Sequence, residues 1–467
     1  MKSLGILAIS LLTLFVSCRK DSFITSADAR VRITADTLKY DTVFVSAGST
    51  YQTFKIINEN TQKLRISSVK LAGGNASMYK MNVDGLPGTQ FNDLELEPND
   101  SVYVFAQVNV DPGAGNLPFI IRDSIEITYN GNRRWVQLEA WGQNAHFFRD
   151  KVITVSETWN NDLPYVILGS LFINADQTLT INKGCRIYVH ANAPIIVNGT
   201  LQVNGLKDTV DRVSFQGDRL DEPYRYFPAS WPGIFFGSSS KDNVMTYTWI
   251  KNAYQAIGIQ DPSPNANPKL TLNECIIDNA FYAGIISSNS SITARNCLIS
   301  NCGNNLVLIK GGAYQFTHCT VVTIGNRFTD HLTPVLLLTN YVENIPGSFA
   351  LNALFRNCIF WGENGLVEDE VQIYTRTGAA ALNVNFDHGL WKVKTSPINP
   401  PNITGTQIIN NQPPQFDSIN TFRNYYDFRL GPGSSALNKG VATGINIDLD
   451  GKSRPVGLPD LGSFEKQ

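Results

Sequence analysis

The sequence predicts an all-β chain in two parts, an antiparallel β-sandwich followed by a right-handed parallel β-helix. Three observations carry this. Short runs of alternating apolar and polar residues, bounded by Gly, Asn and Pro, fill positions 34–146. From about 147 onward, similar phrases recur at near-fixed spacing, with Cys275, Cys297 and Cys319 each 22 residues apart. Asn, Gly, Thr, Ile and Val are abundant, and helix formers are sparse.

The chain opens on "MKSLGILAISLLTLFVSC", a lysine, an apolar run from Leu4 to Val16, a small residue and Cys18. The run is too short to span a bilayer and has the order of a secretory signal, residues 1–17. A cysteine directly after such a run resembles the lipobox of bacterial lipoproteins, which implies cleavage before Cys18 and its lipidation. Phe15 and Val16 depart from the usual box residues. Residues 18–33 then form a lipidated tether, and the partner at this end is a membrane. Arg19 offers no aspartate-type retention signal, so the outer membrane is expected. Lys20-Asp21 only partly resembles the export tags of surface lipoproteins of Bacteroidota, which leaves the leaflet open.

Within 34–146, the runs "YQTFKIINEN", "KLRISSVKLAGG", "DSVYVFAQVNVDP", "RDSIEITYNG" and "RRWVQLEAWG" alternate, so that Ile125 and Ile127 face a core. No cysteine lies between Cys18 and Cys185, so apolar burial alone must hold this part. The order of motifs resembles immunoglobulin-like modules at the front of bacterial surface proteins, which implies a spacer or docking role.

From 147 to 467 the repeat sets the architecture. Aligned on the cysteines, Leu270, Ile292 and Tyr314 form one column, Leu272, Ala294 and Phe316 another, and Ile277, Ile299 and Val321 a third. "MTYTWIKNAYQAIGI" joins the alignment with Thr248 in the cysteine seat, and "LFRNCIFWG" places Cys358 there. "NFDHGLWK" is aligned with His388 in that seat and Trp391 over Trp361. The spacings loosen to 27, 39 and 30 residues, so loops of varying length interrupt constant strands. Three strands per circuit, each stacked about 4.8 Å above its equivalent, satisfy such a period. About nine to eleven circuits fit between Leu168 and Trp391. Asn279 and Asn301 repeat at a turn, and Asn198-Gly199 and Asn204-Gly205 supply positive-φ positions.

Three thiols at one spacing could be a metal site, bridges, or one buried position visited once per circuit. Structural zinc needs ligand pairs two to four residues apart, and no C-x-x-C occurs. Bridges are open to an exported chain, although parallel side-chain vectors suit the disulfide torsion poorly. Cys302 is the least constrained candidate for one. A free cysteine packs as a small apolar residue, so an inert ladder is the preferred reading.

The tail, "DFRLGPGSSALNKGVATGINIDLDGKSRPVGLPDLGSFE", resembles the terminal segment of choice-of-anchor Q proteins, bacterial β-helices with pectin-lyase-like architecture. The matching positions are Ser435, Ala436, Leu437, Asn438 and Gly440, then Asp448, Asp450, Gly451, Arg454 and Pro455, then Asp460, Gly462, Phe464 and Glu465. The resemblance implies a β-helix cap over 427–465 and a cell-surface setting, not a reaction.

Lys plus Arg (38) nearly balance Asp plus Glu (40) and no basic tract stands out, which excludes a nucleic-acid partner. A glycosidase would need paired carboxylates. The nearest fragment is "DHG" at 387–389, read as a turn. The acidic run 368–370 reads as a solvated face. "DLDG" starts like a calcium loop, but Lys452, Ser453 and Pro459 occupy the later ligand positions. No metal, cofactor or catalytic residue is assigned. A glycan-binding module asks for exposed aromatics beside polar groups. Tyr224, Tyr226, Phe227 and Trp231, flanked by Asp221, Glu222 and Arg225, cluster in one excursion, with an inward fold of Trp231 and Phe227 as the plain alternative. The expected function is therefore a non-catalytic envelope lipoprotein whose β-helix binds a polysaccharide or a surface protein. A β-helical polysaccharide lyase or hydrolase, and a structural component of an envelope assembly, are the alternatives.

Overall fold

A computed structural model describes residues 22–44, 51–109, 119–143, 145–220, 224–345, 347–398 and 402–467. Cys18, Asp221 and Glu222 lie outside them. The chain divides into two compact units, Met1–Asn144 and Ala145–Gln467. Among the described residues there are strands and three short 3-10 turns, and no α-helix.

The first unit holds two five-stranded sheets. One contains Val31–Ile33, Gln52–Asn58, Ser101–Val108, Tyr79–Val83 and Leu86–Gly88; the other contains Thr37–Phe44, Asn132–Gln143, Phe119–Tyr129, Leu64–Leu71 and Gln90–Leu96. Alternation, shifted by one residue at Ser67–Ser68, sets which side chains are buried: Leu64, Ile66, Val69 and Leu71 on one strand, and Ile125 and Ile127 on its neighbour, are inaccessible. Two tyrosines cross from sheet to sheet. The Tyr40 hydroxyl donates to the Ala106 carbonyl at 2.6 Å, and Tyr79 to that of Ile121 at 3.0 Å. One expectation is corrected: the pairing is not wholly antiparallel, because Thr37–Phe44 runs parallel to Asn132–Gln143. Gln90–Leu96 was not marked by the alternation because it is mostly exposed and carries little apolar pattern.

In the second unit, each strand pairs in parallel with the one a circuit ahead. Ile195–Val197 pairs with Ile234–Phe236, that strand with Gln255–Gln260, and that one with Ala283–Arg295. The same step generates a second face from Thr200–Asn204 through Asn243–Thr246 and Leu270–Asn273. A third runs from Val213–Gly217 through Thr248–Lys251, Ile276–Asp278 and Leu298–Ser300. All 23 strands from His146–Ile153 to Ile403–Asn410 are linked into one parallel system, consistent with a β-helix. The second face has eight strands between Leu168 and Trp391, fewer than the expected circuits, because insertions such as 325–335 and 340–350 use up chain.

The inward columns are those of the alignment. Leu272, Ala294 and Phe316 continue into Phe355 and Phe386. Ring centroids are 5.5 Å apart from Phe316 to Phe355 and 5.1 Å from Phe355 to Phe386. The cysteine seat is one column as well. The Leu298 N–H donates to the Cys275 carbonyl, Thr320 to Cys297, and Ile359 to Cys319, each at 2.9 Å. Pairing carries the column back through Thr248 and Val213 to Cys185. All six described cysteines are free and buried, without a disulfide among them, and no group of three or more His, Cys, Asp or Glu side chains is gathered as a metal site among the described residues. Burial pushes the Cys275, Cys297 and Cys319 thiols well above their ordinary value.

The alignment was one residue out at His388. Cys358 pairs with Gly389, and Trp391 lies over Phe360. His388 instead belongs to the preceding corner column, Tyr247, Glu274, Asn296, His318, Asn357 and His388, every member of which has φ between 44° and 57°. A single left-handed residue turns the chain sharply from the second face to the third, which explains why asparagine recurs there.

The tail does not close an end of the coil. It lies along the outer side of the third face. Leu298, Val322, Ile359, Trp361 and Leu390 point outward there and form one apolar cluster with Phe428, Leu430, Ala436, Leu449, Leu461 and Phe464. Polar side chains of the corner column tie it down. Asn296 donates to the Ile447 carbonyl at 3.0 Å and Asn357 to that of Val441 at 2.7 Å. The motif carboxylates bind backbone: Asp448 accepts from the N–H of Asp450, Lys452 and Glu465, Asp460 from Asn438 and Lys466, and Glu465 from Val456 and Asp460. Arg454, also buried, has Nε 3.3 Å from Glu465 Oε2 and donates to the Gly462 carbonyl. Asp448 thus has its oxygens committed to main-chain donors and Asp450 pairs with Arg429 at 2.8 Å, so both acids of "DLDG" are engaged within the chain. His318 is sealed beneath this segment, where burial and the Arg454 charge push it down to about 2.

Two outcomes follow from this packing. A thiol reagent will leave all six described cysteines unmodified in the native protein and react with them on unfolding; fast labelling of Cys297 in the native state would contradict the ladder. Because the folded-state pKa of His318 is depressed, its stabilising share is complete above the unfolded value near 6.5. That share is lost as pH falls toward about 2. Each pH unit below 6.5 will remove roughly 1.4 kcal/mol. His318→Asn, matching its column neighbours, will flatten the loss of denaturation midpoint from pH 7 to 5. Asp448, Asp460 and Glu465, held above their usual range by burial, act in the opposite sense and cancel in the comparison.

Candidate functional site

The excursion named by the sequence lies between Val213–Gly217 and Ile234–Phe236, at the corner where the third face returns to the first. Asn252 and Asn279 are stacked there in left-handed conformation, with φ of 60° and 56°. Their amides hold the excursion by its main chain. Asn252 donates to the Arg225 carbonyl at 2.8 Å and Asn279 to that of Tyr226 at 2.9 Å, while Asn279 also bonds Asn252 Oδ1 at 2.7 Å. The recurrent turn asparagines therefore do double duty, shaping the corner and clamping a loop to it.

This clamp divides the predicted site residues. Tyr224, Tyr226 and Phe227 are exposed. Tyr224 and Phe227 meet edge to face at 5.3 Å, and Phe227 reaches Phe328 at 5.5 Å. The Arg225 guanidinium lies 5.2 Å over the Tyr226 ring and that of Arg219 lies 3.3 Å over Tyr224. Trp231 is corrected. It is 0% exposed, packs in the main core, and donates its indole N–H to the Lys251 carbonyl at 2.8 Å, so it offers no face to a ligand.

A second set of rings, not named by the sequence reading, continues the corner. The Ala253 carbonyl accepts from Ala229 N–H of the excursion and from Phe281 N–H of the next circuit. Tyr254, Phe281 and Tyr282 stand outside it. Tyr254 and Tyr282 are 47% and 46% exposed, with rings 5.7 Å apart and only 19° from parallel. The signal was present in "KNAYQ" and "DNAFYAG", which align Tyr254 with Phe281 just after the turn asparagine. An aromatic that follows Asn-Ala in two successive circuits must project from the same corner.

Several acidic groups elsewhere are engaged with partners. Asp218 pairs with His190 at 2.7 Å and holds that imidazole above its ordinary value. Of the run 368–370, Glu368 pairs with Lys394, Asp369 accepts from two backbone N–H groups, and Glu370 is buried against His331 at 3.1 Å. The run is a loop anchor and not a solvated face. In "DHG", Asp387 accepts from Arg356 and His388 at 2.7 and 2.8 Å. Trp361 and Trp391 are buried, and Tyr374 is exposed.

No protein-family model matches the chain, and no curated protein does. Among solved structures, a family 123 glycoside hydrolase from Clostridium perfringens is similar at 10% identity and TM-score 0.19, covering 28% of this chain and 30% of the hydrolase. The PapD-like domain 7 of human CEP192 is similar at 11% identity and TM-score 0.19, covering 28% of this chain and 94% of that domain. Likeness at this level carries no argument about the site.

The clamp generates its own test. Asn279→Gly keeps the left-handed corner but deletes both amide bonds, and will lower stability by about 1–3 kcal/mol while hydrogen exchange rises across 218–228. Unchanged exchange there would show that the excursion is held by its rings instead.

Proposed function

We propose that the chain is a non-catalytic, lipid-anchored envelope protein whose coil binds glycan at the aromatic corner. The observation that carries this is the near-parallel, exposed pair Tyr254 and Tyr282 beside Tyr224, Tyr226 and Phe227. Sugar rings present C–H faces that stack on such surfaces, and each aromatic contributes apolar area at little conformational cost. Asn304, which donates to the Tyr282 carbonyl, and Arg225 supply polar groups alongside. The excursion is pre-positioned by Asn252 and Asn279, which lowers the ordering cost on binding.

The setting follows from the sequence. Cys18 carries the lipid, the outer membrane is the site of anchoring, and the first unit serves as an immunoglobulin-like spacer. The coil is a right-handed β-helix of the pectin-lyase-like kind, and its tail is of the choice-of-anchor Q type. The catalytic alternative would rest on Arg356, Asp387 and His388, a half-buried trio on two neighbouring circuits. The binding reading is favoured because Asp387 already serves both neighbours, which hold its carboxyl below the usual range against the opposing effect of burial.

Glycan-array profiling of the full chain in detergent tests the proposal. A glycan will be retained, Tyr254→Ala and Tyr282→Ala will each weaken it about ten-fold, and no new reducing ends will appear. Retention untouched by either substitution would remove the corner as the site.

A further inference from the structure

The outer side of the second face carries a groove of about 630 Å³ that the aromatic corner does not share. Its floor is two outward columns. One runs Ser291, Ala313, Asn352, Asn383, and the other Thr293, Gln315, Leu354, Asn385, Thr404, in parallel register. The loop 262–268, inserted between Gln255–Gln260 and Leu270–Asn273, forms one wall.

Three features of this groove are unlike a chance furrow. First, no lining side chain is charged; they are amides, hydroxyls and small apolar groups. Amides and hydroxyls both donate and accept, so they match a polyol and provide no counter-charge for an ion. The charges in the adjoining column have partners, Arg295 with Glu274 of the corner column and Arg356 with Asp387. Second, Asn352 and Asn383 are already laddered, amide to amide at 2.9 Å, as successive rungs. Third, the wall is braced. Asp242 accepts from Asn265 and from Asn267. Lys269, inaccessible at the loop's foot, donates to the carbonyls of Gly237, Ser238 and Gln260 at 3.0, 3.1 and 2.7 Å.

We infer that this groove is a second binding site, for an extended, uncharged polysaccharide lying along the coil axis. Rungs repeat about every 4.8 Å, close to the advance of one sugar in an extended chain, so equivalent side chains meet equivalent sugars. Five rungs, from the Ser291 row to the Thr404 row, span about 19 Å and hold roughly four to five sugars. Ala313 and Leu354 leave apolar patches in the floor for sugar faces. The site stands independently of the aromatic corner.

The test is affinity electrophoresis and calorimetry of the full chain with linear neutral polysaccharides (a β-glucan, a mannan, a xylan) and with a polyuronate. A neutral polymer will be retained over the polyuronate, with affinity unchanged between low and high salt. Asn352→Leu and Asn385→Leu, at exposed positions, will each weaken it about ten-fold. Ala313→Trp will block it. Tyr254→Ala will have no effect, and unchanged melting temperatures will certify the fold of each variant. The inference is overturned if no neutral polymer is retained, if polyuronate is preferred with salt sensitivity, or if the groove variants bind normally. Loss with Tyr254→Ala alone would reject the groove; loss with the groove variants alone upholds the groove and does not bear on the corner, whose own test is the glycan array. Equal loss in both sets would overturn the independence of the two sites.

Discussion

Parallel stacking at one strand per rung is the constraint from which the rest of the second unit follows. The strands of a circuit find their main-chain partners in the circuits above and below, so a strand residue's environment is inherited from its column. An inward column is mostly apolar, and Phe316, Phe355 and Phe386 show one filled by stacked rings. In a separate inward column, Cys185, Cys275, Cys297, Cys319 and Cys358 are buried with Val213 and Thr248. The corner column must accept left-handed φ, and asparagine does so with an amide left over.

That spare amide links architecture to the surface. On the corner before the third face, Asn296 and Asn357 use it to hold the tail. On the corner after it, Asn252 and Asn279 use it to hold the aromatic excursion. The third face has outward Leu298, Ile359 and Leu390, which need a cover, and the tail supplies one through Leu449, Leu461 and Phe464. Burying carboxylates in that cover is costly unless their oxygens are bonded, and Asp448, Asp460 and Glu465 each accept at least two main-chain donors. The motif of the tail is thus a device for satisfying its own irregular backbone. The tail covers the later circuits of the third face, and the two binding sites proposed above lie away from it.

The period of the repeat, the buried columns and the turn asparagines were legible in the sequence because stacked residues share one environment and so share chemistry. The ladder of cysteines was legible for the same reason: a seat shared with Thr248 argues against one chemical role for the column. Three things were decided only by the fold. Trp231 and Tyr224 are neighbours in sequence, yet one closes the core and the other faces water, since which rings turn inward depends on how Asn252 and Asn279 seat the loop. His388 took the corner and not the cysteine seat, because Gly389 fills the latter and a one-residue offset is invisible where the period has already loosened. The polar groove joins residues from Ser291 to Thr404 with no local pattern; only register across circuits brings their side chains to one surface.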